Sequence, residues 1–188
     1  MPHYNISDDY VKELEKLHQK KTFGKGINIP PEVKELISKH NVKSILDFGC
    51  GKGLFSNSIK QAYPHITLYS YDPVTSPIEL PKEVDLVYSS DVLEHVEPDQ
   101  LDDTLEELFS ISKVQFHLIA CHPAKKALSD GRNAHLIIEK PKWWRKKISN
   151  YLKEGWTERY SQSHVKVGHT KKKGRLEQEK YITILSRI

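Results

Sequence analysis

Ser44-Ile-Leu-Asp-Phe-Gly-Cys-Gly-Lys-Gly-Leu-Phe-Ser56 decides how the rest of the chain reads. Ile45, Leu46 and Phe48 form a short apolar run that predicts a buried strand, with Asp47 set inside it just before its end. Gly49, Gly51 and Gly53 alternate after it, and Leu54, Phe55, Ile59 and Ala62 follow at helical spacing. The order is strand, glycine loop, helix. Glycines accept positive φ and let a ligand lie against bare backbone. The helix start behind them offers free N–H groups and a partial positive charge. An ordinary strand-to-helix turn needs neither three glycines nor an acid inside the strand.

Working outward, residues 66–71 read as a second strand, ended by Asp72-Pro73. A carboxylate at a strand's carboxyl end can accept both hydroxyls of a ribose, and Asp72 lies about 20 residues beyond the glycine loop, the spacing of a ribose acid. A turn-forming Asp-Pro is the structural alternative, and the two roles are compatible. Residues 84–89 predict the next strand, residues 100–110 an amphipathic helix carrying Leu101, Leu105, Leu108 and Phe109, and residues 114–121 a further strand. Between Pro73 and Glu83 stand Pro73, Pro77 and Pro81, which leave no room for a helix plus a strand. The alternation of strands and helices predicts a mostly parallel sheet with helices on both faces and ligands at the strands' carboxyl ends. Asp72, Asp91 and His122 should converge there with the glycine loop.

Upstream, Ser7 or Asp8 can cap a helix over residues 8–20, and Pro30-Pro31 opens a second to about residue 40. Downstream, residues 123–140 form a polar excursion with an Asp130-Gly turn. A helix over 141–152 then turns Trp144, Ile148, Tyr151 and Leu152 inward. Residues 157–162 and 181–185 predict the last two strands, separated by a basic loop, Lys171-Lys-Lys-Gly-Arg. The 188 residues suit one domain with a core of ordinary size. A hydrophobic fraction of 37%, the lack of any membrane-length apolar run and the two cysteines, Cys50 and Cys121, predict a cytoplasmic protein without disulfides, a zinc cluster or a membrane span. The net charge of +4 permits an anionic partner without requiring one.

Asp47-Phe-Gly-Cys-Gly-Lys-Gly resembles the nucleotide loop of class I S-adenosylmethionine-dependent methyltransferases. Its Gly-x-Gly-x-Gly spacing differs from the dinucleotide fingerprint, whose third glycine comes one place later and whose loop holds a pyrophosphate. That argues against an NAD-binding oxidoreductase. Ser90-Asp-Val-Leu-Glu-His-Val-Glu-Pro resembles the family segment beside the transferable methyl group, and residues 130–144 are similar to a stretch of small uncharacterised phage-borne methyltransferases. The resemblance covers residues 42–121 well and the last third by topology alone.

The resemblance implies a Rossmann-like three-layer sandwich whose last strand is antiparallel and whose third strand is missing or vestigial, so that the sheet ends at the second strand. It implies a single methyltransferase domain over 1–188: an N-terminal helical arm (1–41), a cofactor-binding core (42–122) and an acceptor-side region (123–188). N-terminal helices in the family often cover the cofactor or substrate; a plain packing arm is the alternative. S-adenosylmethionine would be held by Asp47, Gly49, Cys50, Gly51 and Gly53, by Asp72 with Pro73 at the ribose, and by Asp91. Asp47 would take the ammonium directly or through water, and the loop N–H groups the carboxylate. The acid that often follows the third strand, near the adenine, has no counterpart.

Methyl transfer needs alignment above all, and a hydroxyl acceptor also needs a base or a metal. Asp91, His95, His122 and His135 are the catalytic candidates. If the segment turned helically, Asp91, Glu94 and His95 would share a face, and with His135 they could hold a divalent cation, as in the acid-x-x-Glu-His arrangement of metal-dependent O-methyltransferases. Many family members carry Glu-His there and bind no metal. The expected acceptor is a small molecule, methylated at oxygen. Lys142, Arg145, Lys146 and Lys147 with Trp143, Trp144 and Trp156 leave a metal-assisted RNA or DNA methyltransferase as the alternative. A non-catalytic interaction module is the third reading.

Overall fold

The computed structural model describes residues 6–21, 23–24, 28–153, 155–170 and 174–187. Its strands are β1 (Ser44–Phe48), β2 (Thr67–Tyr71), β3 (Leu86–Ser90), β4 (Val114–Ala120), β5 (Trp156–Thr170) and β6 (Gly174–Arg187). Its helices are α1 (Asp8–His18), α2 (Pro31–Lys39), α3 (Leu54–Ala62), α4 (Leu101–Ile111) and α5 (Pro141–Ser149). Among the described residues the strands form one sheet in the order β2-β1-β3-β4-β6-β5. β1 pairs in parallel with β2 and β3, and β3 with β4, while β6 runs antiparallel between β4 and β5.

Side chains alternate across this sheet because a strand's side-chain period is two. Ile45, Leu86, Tyr88, Phe116, Ile182 and Ile184 pack on one face with Val33, Leu36 and Ile37 of α2 and Phe55 and Ile59 of α3. Leu46, Phe48, Val87, Ile119, Tyr181 and Leu185 pack on the other with Leu105 and Leu108 of α4 and Trp144 and Ile148 of α5. This is the three-layer sandwich the alternation predicts. The missing third strand is also found. β2 is the sheet edge, residues 77–85 form no strand, and a single antiparallel bridge from Asp72 to Ser76 closes the turn after β2.

The N-terminal arm divides. Ser7 Oγ accepts the Tyr10 N–H and starts α1, whose Tyr10, Leu14 and Leu17 pack on Leu128 and Ala134 of the excursion. α2 packs in the layer of α3 instead. The last two strands are longer than their apolar runs. β4 stops at Ala120, opposite Lys180, but β5 and β6 stay paired from His164–Lys180 out to Thr170–Gly174. They form a two-stranded ribbon past the carboxyl end of β4. Only residues that pack on the sheet carry the apolar signal, which is why the expected strands came out short. Lys171, Lys172 and Lys173 of the basic loop lie outside the described residues, and Gly174 opens β6. Among the described residues no helix is long and apolar enough to cross a membrane.

Candidate active site

At the carboxyl ends of β1, β2, β3 and β4 lies a cavity of about 500 Å³. One wall is the glycine loop. Gly49 and Gly51 have φ of +77° and +52°. A Cβ on Gly49 would lie 2.4 Å from Val92, and one on Gly51 would lie 2.5 Å from the Gly24 carbonyl oxygen, so both positions exclude a side chain. The loop's N–H groups are taken up within the protein: Gly49 and Cys50 donate to the Tyr71 carbonyl, Gly51 to Asp72, Lys52 to the Gly24 carbonyl and Gly53 to the Cys50 carbonyl. The expectation that these groups stand free for a carboxylate is therefore corrected; in this conformation the arm and β2 hold them.

Asp72 is buried at the end of β2 and borders the cavity. Its Oδ1 accepts from Val74 and Thr75 N–H, and its Oδ2 from Gly51 N–H, so the turn-forming role is realised. His18 Nε2 stands 3.9 Å from the same Oδ2, and burial lowers the His18 pKa, so the ring is neutral at pH 7. Asp47 does not border the cavity. It is 2% exposed beneath the loop, where Ser56 Oγ donates to it at 2.5 Å, and burial pushes its pKa up to about 7. Asp47 thus ties the end of β1 to the first turn of α3. Gly53 also lies off the cavity, as the left-handed N-cap of α3. Cys50 and Pro73 line it.

The opposite wall comes from the segment after β3 and from the excursion. Asp91 has φ +54°, which breaks any helical continuation into the turn carrying Glu94 and His95, although its charge still helps to raise the Glu94 pKa after burial. The expected shared face of Asp91, Glu94 and His95 is therefore corrected. Asp91 instead meets Lys180 Nζ at 2.6 and 2.7 Å. Glu94 and His95 sit on a single 3₁₀ turn, Leu93–His95. Glu94 is fully buried: Oε1 accepts the Ala120 N–H, Oε2 has no partner, and burial raises its pKa.

The imidazoles His95, His122 and His135 line the cavity, and each has Nδ1 against a backbone carbonyl: Ala134 at 2.6 Å, Pro123 at 3.0 Å and His122 at 2.6 Å respectively. A carbonyl only accepts, so each Nδ1 carries the proton and each Nε2 keeps its lone pair. Burial pushes His95 down to about 3 and lowers His135, so both rings are neutral at pH 7. The His95 and His135 rings meet edge to face at 4.8 Å.

A family model described as a methyltransferase domain matches residues 15–163. The chain belongs to the class I S-adenosylmethionine-dependent methyltransferases. The methyltransferase is similar in fold to the Burkholderia thailandensis 1,6-didemethyltoxoflavin-N1-methyltransferase, solved with bound 1,6-didemethyltoxoflavin and S-adenosylhomocysteine. That likeness has 14% identity and a TM-score of 0.57, and covers 100% of this chain and 90% of that one. A structure titled for the conversion of a disulfide bond into a thioacetal group during echinomycin biosynthesis matches at 13% identity and TM-score 0.55, over 94% of this chain and 91% of that one. The YcgJ protein of Bacillus subtilis matches at 8% identity and TM-score 0.53, over 82% and 96%. At these identities the likeness is one of fold. No curated protein sequence matches the chain.

The residues of the methyltransferase fit its cofactor: bare backbone at Gly49 and Gly51 and a buried acid ending β2 border one cavity. They also fit a divalent cation. Glu94, His95 and His135 bring ligand atoms within 4.8 Å of one another, with an orphaned carboxylate oxygen among them, whereas Asp91 is not one of this group. Sequence reasoning missed Lys180, His18, Phe23 and Gly24. His18 was the readable one: Tyr10, Leu14 and His18 recur every fourth residue along the buried stripe of α1. Nothing local marks Lys180, which reaches Asp91 from 89 residues away.

Proposed function

We propose that the methyltransferase transfers its methyl group to an oxygen of a small-molecule acceptor in this cavity. S-adenosylmethionine would lie along Gly49, Cys50 and Gly51, with Asp72 and Pro73 at its ribose, and would supply a methyl already activated by the sulfonium. Binding at the loop requires the Gly24 segment to release or share the Lys52 N–H. His135 would take the acceptor's hydroxyl proton on Nε2, with His95 and His122 beside it and Asp91, held by Lys180, fixing the floor. The observation that carries this reading is the common tautomer of the three imidazoles, each with Nδ1 committed to a carbonyl and the Nε2 lone pair left over.

Features of α5 and of the start of β5 weigh against a nucleic acid acceptor. Trp144 is fully buried, Trp156 packs against the core, Arg145 pairs with Glu158 at 2.8 Å and Lys147 with Asp102 at 2.7 Å. A second reading is favoured by the Glu94, His95 and His135 cluster: a divalent cation held there would acidify the acceptor hydroxyl. The test has two stages. Calorimetry with S-adenosylhomocysteine, with NADH as control, checks the cofactor; no binding would bring the interaction-module reading forward. Methyl transfer to a panel of hydroxylated small molecules, before and after chelator, then separates the mechanisms. Activity that survives chelation supports the base; activity lost and restored by Mg²⁺ or Mn²⁺ supports the cation.

A further inference from the structure

Three lysines line the cavity: Lys125, Lys126 and Lys180. Lys180 is neutralised by Asp91. Lys125 and Lys126 meet no carboxylate among the described residues. The Lys126 ammonium lies 5.1 Å from the centroid of the Phe23 ring instead. Two further cations stand close. Lys52 Nζ donates to the Lys20 carbonyl at 2.8 Å, and Lys20 and Lys52 both lower the Lys126 pKa, after burial as the larger cause. Elsewhere some lysines are paired, as Lys16 with Glu13 at 2.7 Å and Lys12 with Asp9 at 3.1 Å, and others, such as Lys34, are simply exposed to solvent; Lys125 and Lys126 differ from these in lining the cavity.

Like charges gathered without counter-ions repel one another, and a half-buried one also loses hydration. Such an arrangement suits a site that an anion visits. The cofactor does not supply the missing charge, because its sulfonium and ammonium outweigh its one carboxylate. Lys125 and Lys126 belong to the excursion that contributes His135 and starts just after His122, so they flank the group assigned to the acceptor.

We infer that the acceptor is a small organic anion whose carboxylate or phosphate is held by Lys125 and Lys126 while its hydroxyl meets the histidines. This rests on the small-molecule reading above and names its substrate class.

The test is calorimetric titration of the protein saturated with S-adenosylhomocysteine, at fixed ionic strength, using benzoate in one arm and inorganic phosphate in the other. Whichever anion binds identifies the group. Its affinity should fall about tenfold in Lys125→Gln/Lys126→Gln, the scale of a lost charge-assisted contact. It should be unchanged in Lys34→Gln on the exposed side of α2. S-adenosylhomocysteine affinity should stay within about twofold of wild type, since no contact in this reading joins the pair to the cofactor. If the double variant unfolds, Lys125→Gln alone, at an exposed position, should show a smaller loss of the same sign.

Absence of anion binding to wild type, or equal binding by wild type and the double variant, overturns the inference. An equal loss of S-adenosylhomocysteine affinity also overturns it and assigns the lysines to the cofactor's carboxylate. Tight, lysine-dependent binding of a short single-stranded RNA that neither anion competes would overturn it in favour of nucleic acid. If S-adenosylhomocysteine fails to bind at all, the cofactor reading fails instead, and the same anion titration of unloaded protein still decides the lysines.

Discussion

The two walls of the cavity are finished differently. On the glycine-loop side the N–H groups from Gly49 to Gly53 each have a partner, and Asp72 accepts three N–H bonds. On the histidine side, Glu94 Oε2 and His122 Nε2 are buried with no partner among the described residues. A buried polar group without a hydrogen bond costs about 1–3 kcal/mol, so a fold keeps one where something else repays it. The loop backbone is hydrogen-bonded within the protein, although on the same side His18 Nδ1 is buried with no partner among the described residues. The histidine wall leaves side-chain bonding capacity unmet, which is what the proposed acceptor or cation would complete.

The most severe way to break this contrast is to damage the loop wall. Gly49→Ala puts a Cβ 2.4 Å from Val92 at a φ of +77°. It should cost about 3 kcal/mol in urea unfolding and weaken S-adenosylhomocysteine binding about 100-fold. His135→Gln strikes the other wall. Methyl transfer should fall about 100-fold while S-adenosylhomocysteine affinity holds; if both fall together, the walls are not separate machines. Asp72→Ala should weaken S-adenosylhomocysteine about tenfold through the lost charge-assisted contacts, and a wild-type affinity in that variant would leave Asp72 as a turn residue alone.

A separate effect, on stability against pH, concerns His117, which lies in the sheet away from the cavity, fully buried between Ser89 Oγ at 2.8 Å and Gln115 Oε1 at 3.1 Å. Burial pushes it down from 6.5 to about 3. The unfolded chain therefore binds a proton that the native state refuses as pH falls from about 6.5 towards 3. The resulting stability is complete above that window and is lost through it at about 1.4 kcal/mol per pH unit. His95 acts with the same sign. Asp47 acts with the opposite sign, since its raised pKa favours the native state as pH falls through about 7 towards 3.8. His117→Gln should flatten the fall in urea midpoint between pH 6 and pH 4, and an unchanged slope would place the acid sensitivity elsewhere.

Much of the loop wall was legible because it is local. A glycine loop, the strand before it and the helix after it lie within 19 residues from Ser44 to Ala62, and hydrophobic period separates strand from helix there. The three prolines after Asp72 announced the missing strand for the same reason. The histidine wall was legible only as residue types. Asp91, Glu94 and His95 looked like one helical face, and the positive φ at Asp91, with Lys180 holding its carboxylate, removed Asp91 from it. The three tautomers depend on carbonyls of Ala134, Pro123 and His122, which no spacing rule predicts.

The sequence alone determined the layered α/β architecture, the order of its elements and the acid ending β2, because each follows from short-range periodicity and backbone sterics; the edge at β2 followed from the family resemblance read with the three prolines. Tertiary structure decided the make-up of the histidine wall. It folded the arm so that the Gly24 carbonyl caps the loop, set Lys180 against Asp91, drew His135 between His95 and His122, and left Lys125 and Lys126 without a carboxylate partner among the described residues. Those contacts join residues tens of positions apart, and their geometry follows from how the packed layers bring loop ends together.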